Sequence, residues 1–394
     1  MEVTAADEAH VAINAHLLSG RTGYRSAGVH QYIRHLLRHL GQVNEGVRYT
    51  VLLGEGVLPP GVALPVLRSR WPTSRAVVRV AWEQLVQPWA LRRIRADLVH
   101  GPVFVGPVFA PCPVVLTIHD LSFIRFPDLF RPANRLYLTV LTRLSARRAR
   151  RLIAVSAQTA GEATRLLGVN PARVDVVYHG VEPVFRPLPA DEIAAFRQRR
   201  GLPERFVLFV GTLEPRKNLV RLVEAFARIR HGSNDFSRFR DGRVRLVLAG
   251  GQGWLYDELF AKVEALGLGE EVIFPGYVMD DELPLWYNAA AALAYPSVYE
   301  GFGLPVLEAQ ACGTPVLTSN VSSLPEAAGD AALMVDPCDV EALAGGLHRL
   351  LTDELLRHQL RERGLVHARR FSWPRTAQET ACVYKRAMAE GEGM

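Results

Sequence analysis

An α/β protein built on two parallel, doubly wound sheets is what this sequence predicts, and three observations predict it. Short apolar runs alternate with amphipathic stretches along the whole chain. The rhythm breaks once, in a polar, proline-marked stretch at 182–202, and then restarts. The chain has 394 residues and is 49% hydrophobic, which is enough for two cores rather than one.

Strand-like runs lie at 11–14, 49–53, 98–101, 114–118, 152–155 and 174–178 in the first half. A second set follows at 206–210, 245–249, 272–274, 291–295, 316–318 and 332–335. Helical patterns occupy the intervals, as at 29–40, 219–230 and 340–351, and a last helix starts at Trp373-Pro374 and runs towards Ala389. Strands alternating with helices argue for parallel sheets. Two sets of about six strands give two Rossmann-like domains, with expected limits 1–185 and 186–372 and a final segment 373–394. The polar stretch 231–242 reads as a surface loop. Ligands in such sheets bind beyond the carboxyl ends of the strands, so two facing domains would present their strand-end loops to a shared cleft.

Composition narrows the function classes. The net charge is +6, and residues 1–185 carry 22 Lys and Arg against 12 Asp and Glu, whereas the remainder is mildly acidic. A basic half suits phosphorylated ligands or an anionic membrane surface, and an arginine-rich composition alone would give the same balance. Without aromatic interleaving or a binding motif, nucleic acid is not an expected partner. Only Lys217, Lys262 and Lys385 are lysines. The four cysteines, Cys112, Cys312, Cys338 and Cys382, form no C-x-x-C pair, which favours a reducing compartment. The acidic start shows no secretory pattern, and no apolar run reaches the length of a membrane span. The expectation is a cytoplasmic protein, with peripheral contact to the inner membrane face left open.

Four motifs carry chemistry. Tyr299-Glu300-Gly301-Phe302-Gly303-Leu304-Pro305-Val306-Leu307-Glu308 follows a strand and enters a short helix with proline in its first turn. Its glycines allow a ligand close to the main chain, its helix amides suit phosphate, and Glu300 and Glu308 can accept hydrogen bonds from sugar hydroxyls. A glycine turn entering an ordinary buried helix would look alike but for the two spaced carboxylates. Gly211-Thr212-Leu213-Glu214-Pro215-Arg216-Lys217-Asn218 is the turn after the first strand of the second half. Arg216 offers a fork and Lys217 a point charge to a diphosphate; a solvated basic turn is the plainer reading, weakened by the retention of a rare lysine. His119, in Thr117-Ile118-His119-Asp120, ends a strand where it could bond a substrate, although a lone histidine is more often structural. Finally, Gly20-Arg21-Thr22-Gly23-Tyr24-Arg25-Ser26-Ala27-Gly28 joins the first strand to the first helix and could approach phosphates. Neither a G-x-G-x-x-G fingerprint nor a P-loop ending is present, which argues against a dehydrogenase or an NTPase. Asp280-Asp281-Glu282 has the wrong spacing for a metal clamp and reads as helix capping, so no metal or other cofactor is expected.

With these residues in place, the chain resembles the family-4 glycosyltransferases of the GT-B fold. The Glu300–Glu308 pair looks like that family's two-glutamate signature, and the turn at 211–218 resembles its phosphate-binding motif. The resemblance spans nearly the whole chain and is strongest over 206–337. The front half, with Tyr24–Val29 and His119-Asp120-Leu121-Ser122-Phe123, is similar to the bacterial mannosyltransferase branch that builds surface polysaccharides. The resemblance implies a nucleotide-sugar donor, GDP-mannose in that branch, a glycan or lipid-linked saccharide acceptor, and retention of anomeric configuration. It also implies roles. Arg216 and Lys217 hold the diphosphate, and Gly211 shapes their turn. Glu300 and the main chain of Phe302, Gly303 and Leu304 hold the donor sugar. Glu308 takes the ribose, and the main chain at Tyr277 and Val278 lines the base. His119 contacts the transferred sugar, Gly28 lies near the phosphates, and the final helix crosses back to the front domain. A GT-B phosphorylase, a sugar-nucleotide epimerase and a non-catalytic glycan or nucleotide binder use similar loops and stand as alternatives.

Overall fold

The computed structural model describes residues 8–18, 28–43, 46–231, 244–251, 253 and 257–390. It divides into two compact units, Met1–Gly180 with Ser372–Met394, and Val181–Phe371.

The first unit holds seven strands: β1 (Ala9–Asn14), β2 (Val47–Leu53), β3 (Val66–Arg68), β4 (Leu98–Gly101), β5 (Val114–Ile118), β6 (Arg151–Ala154) and β7 (Val174–Val176). Their order is β3-β2-β1-β4-β5-β6-β7, and every pairing is parallel. In register, Ile13 lies opposite Val51 on one side and His100 on the other. Strands β4 and β5 are buried along their whole length, as a sheet covered on both faces requires. The helix Val29–Leu40 buries Ile33, Leu36, Leu37 and Leu40, a helical spacing that presents one apolar face to the core.

The same core is completed from the far end of the chain. The helix Trp373–Ala389 buries Trp373, Ala377, Ala381 and Tyr384 beside Tyr32, Ile33 and Leu36. Tyr384 Oη bonds His100 Nδ1 at 2.7 Å, and Thr376 Oγ1 donates to the Tyr178 carbonyl at 2.7 Å. The approach is so close that a Cβ on Gly180 would stand 2.1 Å from the Trp373 amide nitrogen.

The second unit repeats the plan with six strands: β8 (Arg205–Val210), β9 (Val244–Ala249), β10 (Val272–Gly276), β11 (Ala292–Tyr295), β12 (Val316–Ser319) and β13 (Leu333–Val335). The order β10-β9-β8-β11-β12-β13 is again parallel throughout. In both units the chain winds outward from its first strand in one direction and then in the other. The switch falls between β1 and β4 in one unit and between β8 and β11 in the other, where doubly wound sheets open a crevice for ligands.

Three expectations need correction. The edge strand β3 has only three residues, two of them exposed, so it carries too little apolar pattern to read from sequence. The units part at 180/181 rather than 185/186, and Ser372 joins the first unit. The Val181 amide donates to the Phe371 carbonyl at 3.2 Å, which fixes both chain crossings at one place. Asp280–Glu282 does not cap: the helix Leu283–Ala289 has Glu282 at its N-cap without a side-chain hydrogen bond. Glu282 instead pairs with Arg200, and Asp280 Oδ1 accepts from the Tyr277 hydroxyl at a long 3.5 Å. The predicted loop 231–242 lies, beyond His231, outside the described residues, as does all of the first glycine loop before Gly28. All four cysteines are free. Among the described residues no helix is long and apolar enough to cross a membrane.

The close packing at Gly180 yields a stability test. Gly180→Ala places a methyl against backbone that cannot move without displacing the whole Trp373–Ala389 helix. It should destabilise the first unit by about 1–3 kcal/mol. Thermal melting measures this, and an unchanged Tm would show that the helix docks more loosely.

Candidate active site

The second unit's site grows from the carboxyl ends of β8 and β11. Gly211 leaves β8 with φ 147, and a Cβ on neighbouring Gly250 would lie 1.8 Å from the Gly211 carbonyl oxygen. Only glycine lets these two turns nest. Pro215–Lys217 then forms a single 3-10 turn, ended by Asn218 in the left-handed region at φ 62. Asn218 Nδ2 donates to the carbonyls of Pro296 at 3.2 Å and Pro337 at 2.6 Å, and the Val298 amide donates to the Arg216 carbonyl at 2.9 Å. The turn is thereby stitched to the loops that follow β11 and β13.

That stitching brings four charges together. Lys217 Nζ donates to Glu300 Oε1 at 2.5 Å and to the Tyr295 hydroxyl at 2.8 Å. Tyr295 Oη in turn donates to Glu300 Oε1 at 3.0 Å. Arg216 reaches Glu300 Oε2 at 3.2 Å through Nη1 and Glu214 Oε1 at 2.5 Å through Nε. Lys217 and Glu300 are both buried. Burial works against a charged Glu300, but Lys217 and Arg216 outweigh it and hold the carboxyl at about 2. Burial likewise lowers the Lys217 pKa, while Glu300 supports its charge. Two cations and two carboxylates therefore neutralise one another inside the unit.

The glycine loop beyond Glu300 is fixed from below. The Glu300 amide donates to Ser322 Oγ at 3.0 Å, and Ser323 Oγ donates to the carbonyls of Glu300 and Phe302, each at 2.9 Å. Gly303 takes φ 115, and a Cβ there would press on Leu324 Cδ2 at 2.9 Å. The Phe302 ring is buried against Phe371, so only its main chain is open to a ligand role. Leu304 starts the helix Leu304–Ala311, with Pro305 in its first turn. Further down the helix, Glu308 Oε2 accepts from the Tyr287 hydroxyl at 2.8 Å. Its surroundings push the Glu308 pKa to about 7, through burial first and then the fields of Asp280 and Glu182, against the Tyr287 bond. Tyr277 and Val278 follow β10, whose last residue Gly276 accepts from the Gly250 amide at 2.8 Å. Tyr277 is partly exposed and Val278 buried.

Two predicted site residues belong to the first unit. His119 is buried after β5, and its Nε2 bonds the Pro102 carbonyl at 2.8 Å. Its ring meets Tyr32 edge-on at 4.8 Å and stacks with His179 at 5.5 Å. Burial lowers the His119 pKa, so the ring is neutral. Asp120 supports its own loop by accepting from the Ser122 amide and hydroxyl at 2.9 and 2.7 Å. Gly28 takes φ 67 at the start of the helix Val29–Leu40 and accepts from the Tyr32 amide at 2.9 Å.

Sequence reasoning missed Tyr295, Tyr287, Ser322 and Ser323. Tyr295 sits at a strand end, a position that could have marked it. The others have no local signature, because their partners lie across the fold. Among the described residues no cluster of three His, Cys, Asp or Glu side chains is placed to hold a metal ion.

Paired Rossmann-ordered sheets with a basic turn at the second switch point describe the GT-B class of glycosyltransferase. Comparison with known proteins agrees. Residues 26–185 match the model described as Glycosyltransferase Family 4, and residues 192–366 match Glycosyl transferases group 1. The chain belongs to the family-4 glycosyltransferases. It is 35% identical to an O-antigen chain mannosyltransferase B of Escherichia coli, over 76% of this chain and 77% of the relative. It is 33% identical to a D-inositol 3-phosphate glycosyltransferase of Streptomyces bingchenggensis, over 92% of this chain and 85% of the relative. Among solved structures, sucrose-phosphate synthase from Thermosynechococcus elongatus superposes with a TM-score of 0.77 at 21% identity, covering 97% of this chain and 100% of that one. At that identity the likeness shows the fold alone.

The perturbed Glu308 gives a test of sign. A folded pKa of about 7 lies above the ordinary carboxyl value of 4.5, so the folded state holds a proton that the unfolded state releases. Stability at this residue is therefore full below pH 4.5 and declines as pH rises towards 7. Glu308→Gln should remove that decline and stabilise the second unit by about 1–2 kcal/mol at pH 8, allowing for its partly open position. Melting curves at pH 5 and pH 8 decide; equal pH dependence in both chains would refute the buried-carboxyl account.

Proposed function

We propose that the protein is a retaining, metal-independent hexosyltransferase. It would move mannose from GDP-mannose onto a glycan or lipid-linked saccharide in surface polysaccharide synthesis. The observation that carries this reading is the Arg216–Lys217–Glu300 cluster at the β8/β11 switch point. In the free protein Glu300 occupies both cations. A donor diphosphate presents more charge and more acceptor oxygens than one carboxylate, so it exchanges with Glu300 and takes Lys217 and Arg216. The displaced carboxylate is then available to the hydroxyls of the donor sugar. Glu308 accepts from the ribose, and the main chain at Tyr277 and Val278 borders the base. The amides at Phe302, Gly303 and Leu304 face the sugar.

In the reaction the bond from the anomeric carbon to the diphosphate oxygen breaks. The acceptor oxygen bonds that carbon on the same face and passes its proton to the departing diphosphate. Lys217 and Arg216 stabilise the charge that grows on the leaving group, which is the task a metal would otherwise perform. The mannosyl donor rests on the E. coli relative, and the inositol relative is the reason to test it.

A panel of nucleotide sugars, with release of free nucleoside diphosphate in the presence of saccharide acceptors, tests the reading. A phosphorylase would require inorganic phosphate, and a binder would release nothing. Turnover should persist in EDTA. Lys217→Ala should lower kcat by a factor equivalent to roughly 2–4 kcal/mol. Glu300→Gln should slow transfer yet tighten binding of bare nucleoside diphosphate by about tenfold, because Lys217 loses its carboxylate competitor while Arg216 keeps Glu214. Looser diphosphate binding by Glu300→Gln in calorimetry would contradict the exchange.

The first unit suits work at an anionic membrane face. On the helix Pro132–Arg148, Leu136, Val140 and Leu144 are exposed at four-residue spacing, forming an apolar stripe. Arg143, Arg147 and Arg148 are exposed on the same helix. Arg151, in contrast, is engaged inside the unit by Asp175 at 2.6 Å and by Glu390. An apolar stripe flanked by arginines lies well at a headgroup boundary, each Arg adding about 1 kcal/mol at an anionic surface. Co-sedimentation should show binding to anionic but not neutral vesicles, weakened by salt and by replacing Arg147 and Arg148 with Glu. No binding to anionic vesicles at low salt would remove the membrane role.

A further inference from the structure

Glu300 is buried on a loop, and its main chain belongs to no helix or strand. Two serines far along the chain hold that main chain instead. Ser322 Oγ accepts from the Glu300 amide at 3.0 Å and donates to the Glu300 carbonyl at 2.8 Å. One hydroxyl thus satisfies both polar groups of the Glu300 backbone. Ser323 Oγ, wholly buried, donates to the same carbonyl and to that of Phe302, each at 2.9 Å.

Both serines give up a local preference to do this. Ser322 takes φ 61, in the left-handed region where a Cβ crowds the neighbouring carbonyl and which glycine enters freely. Ser323 stands at the N-cap of the helix Leu324–Ala328, where a serine hydroxyl ordinarily accepts from the first free amides. It makes no such bond, because its hydroxyl is turned to the loop. The same short helix supports the loop directly: a Cβ on Gly303 would stand 2.9 Å from Leu324 Cδ2 and 3.4 Å from Ala327 Cβ. Behind it, His367 Nε2 bonds the Ala327 carbonyl at 3.1 Å. A strained angle persists only where its surroundings enforce it, and such angles gather at functional sites.

We propose that Ser322 is a positioning residue for transfer: it fixes the main chain of Glu300 as a pivot, so that the carboxylate changes partners without moving the loop. This rests on the transferase reading, in which a diphosphate displaces Glu300 from Lys217 and Arg216 and the carboxylate turns to the donor sugar. Such an exchange needs rotation about side-chain bonds only. Were the backbone of Glu300 to move as well, the amides of residues 302–304 would move with it, and a misplacement of about 1 Å is enough to slow a reaction severely. Ser322 prevents this because both its bonds lie on the main chain, whereas the carboxylate is held by Lys217 and Arg216. Side chain and backbone of Glu300 answer to different partners, so one set can be exchanged while the other stays. Ser323 carries the restraint forward to Phe302.

Transfer by the full chain is measured with the donor that turns over best in the nucleotide-sugar panel, and Kd for bare nucleoside diphosphate by calorimetry. Ser322→Gly and Ser322→Ala should both lower kcat by about tenfold, since both lose the hydroxyl. Their stabilities should differ: glycine accepts the left-handed angle, so Ser322→Gly should melt about 2–4 °C above Ser322→Ala. Kd for nucleoside diphosphate should stay within about twofold in both, because Lys217 and Arg216 keep their places. In a Glu300→Gln background, Ser322→Gly should cost less than about threefold in kcat, because the pivot then serves no carboxylate. A rate that follows the melting temperature, normal in Ser322→Gly and low in Ser322→Ala, would reduce Ser322 to a structural residue and leave the transferase standing. The full tenfold loss in the Glu300→Gln background would likewise overturn action through Glu300. That cycle uses the glycine variant, so it decides the matter even if Ser322→Ala fails to fold. No release from any donor by the parent chain would overturn the transferase reading and the pivot together.

Discussion

The buried contact between Lys217 and Glu300 is the constraint on which the candidate site of the second unit depends. Neither charge could be enclosed alone, since an isolated ion in a protein interior costs several kcal/mol. Each is tolerated because the other is there, with Tyr295 bonded to both. To hold the pair, the turn after β8 and the loop after β11 must stay in register. Asn218 enforces this by reaching the carbonyls of Pro296 and Pro337. The site is therefore pre-assembled without ligand, but it is assembled as a neutral object. On the proposed reading, a diphosphate would have to outcompete an internal carboxylate, which would favour a ligand of higher charge over a single anion.

The two units use one solution in different chemical dress. Each is a parallel sheet wound outward from its first strand, and each leaves a crevice where the winding reverses. In the second unit the crevice is lined by cations and glycines, which suit phosphate and a sugar lying against main chain. In the first it is lined by Asn14, Arg79, Glu83 and Tyr137 together with Leu17, Leu138 and residues 102–105, a mixed and mostly apolar wall.

Much of the fold was legible because parallel strands buried on both faces leave uninterrupted apolar runs. Strands β4 and β5 were placed at their true limits for that reason, and so was the helix Val29–Leu40, whose buried side chains follow helical spacing. The Trp373–Ala389 helix was visible too, from a proline in its first turn. What failed had little pattern to read. β3 is three residues at a sheet edge. The acids at 280–282 looked like a cap because caps are acidic, but the residue at the N-cap is Glu282, whose longer side chain pairs with Arg200 instead.

By itself the sequence determined the residue types and their local setting. It carried a rare lysine beside an arginine after a strand, two glutamates around a double glycine, and a histidine at a strand end. Backbone preferences and apolar spacing act within a few residues, so these features could be read in one dimension. Only the tertiary structure decided what those residues do to one another. It placed Glu300 on Lys217 across 83 positions of chain, lifted Glu308 to about 7 by enclosing it near Asp280 and Glu182, and turned His119 towards the Pro102 carbonyl. It also revealed Glu83 and Asn14 as partners, 69 positions apart. Desolvation and Coulomb interaction depend on distance through space, and that distance does not exist until the sheets are wound.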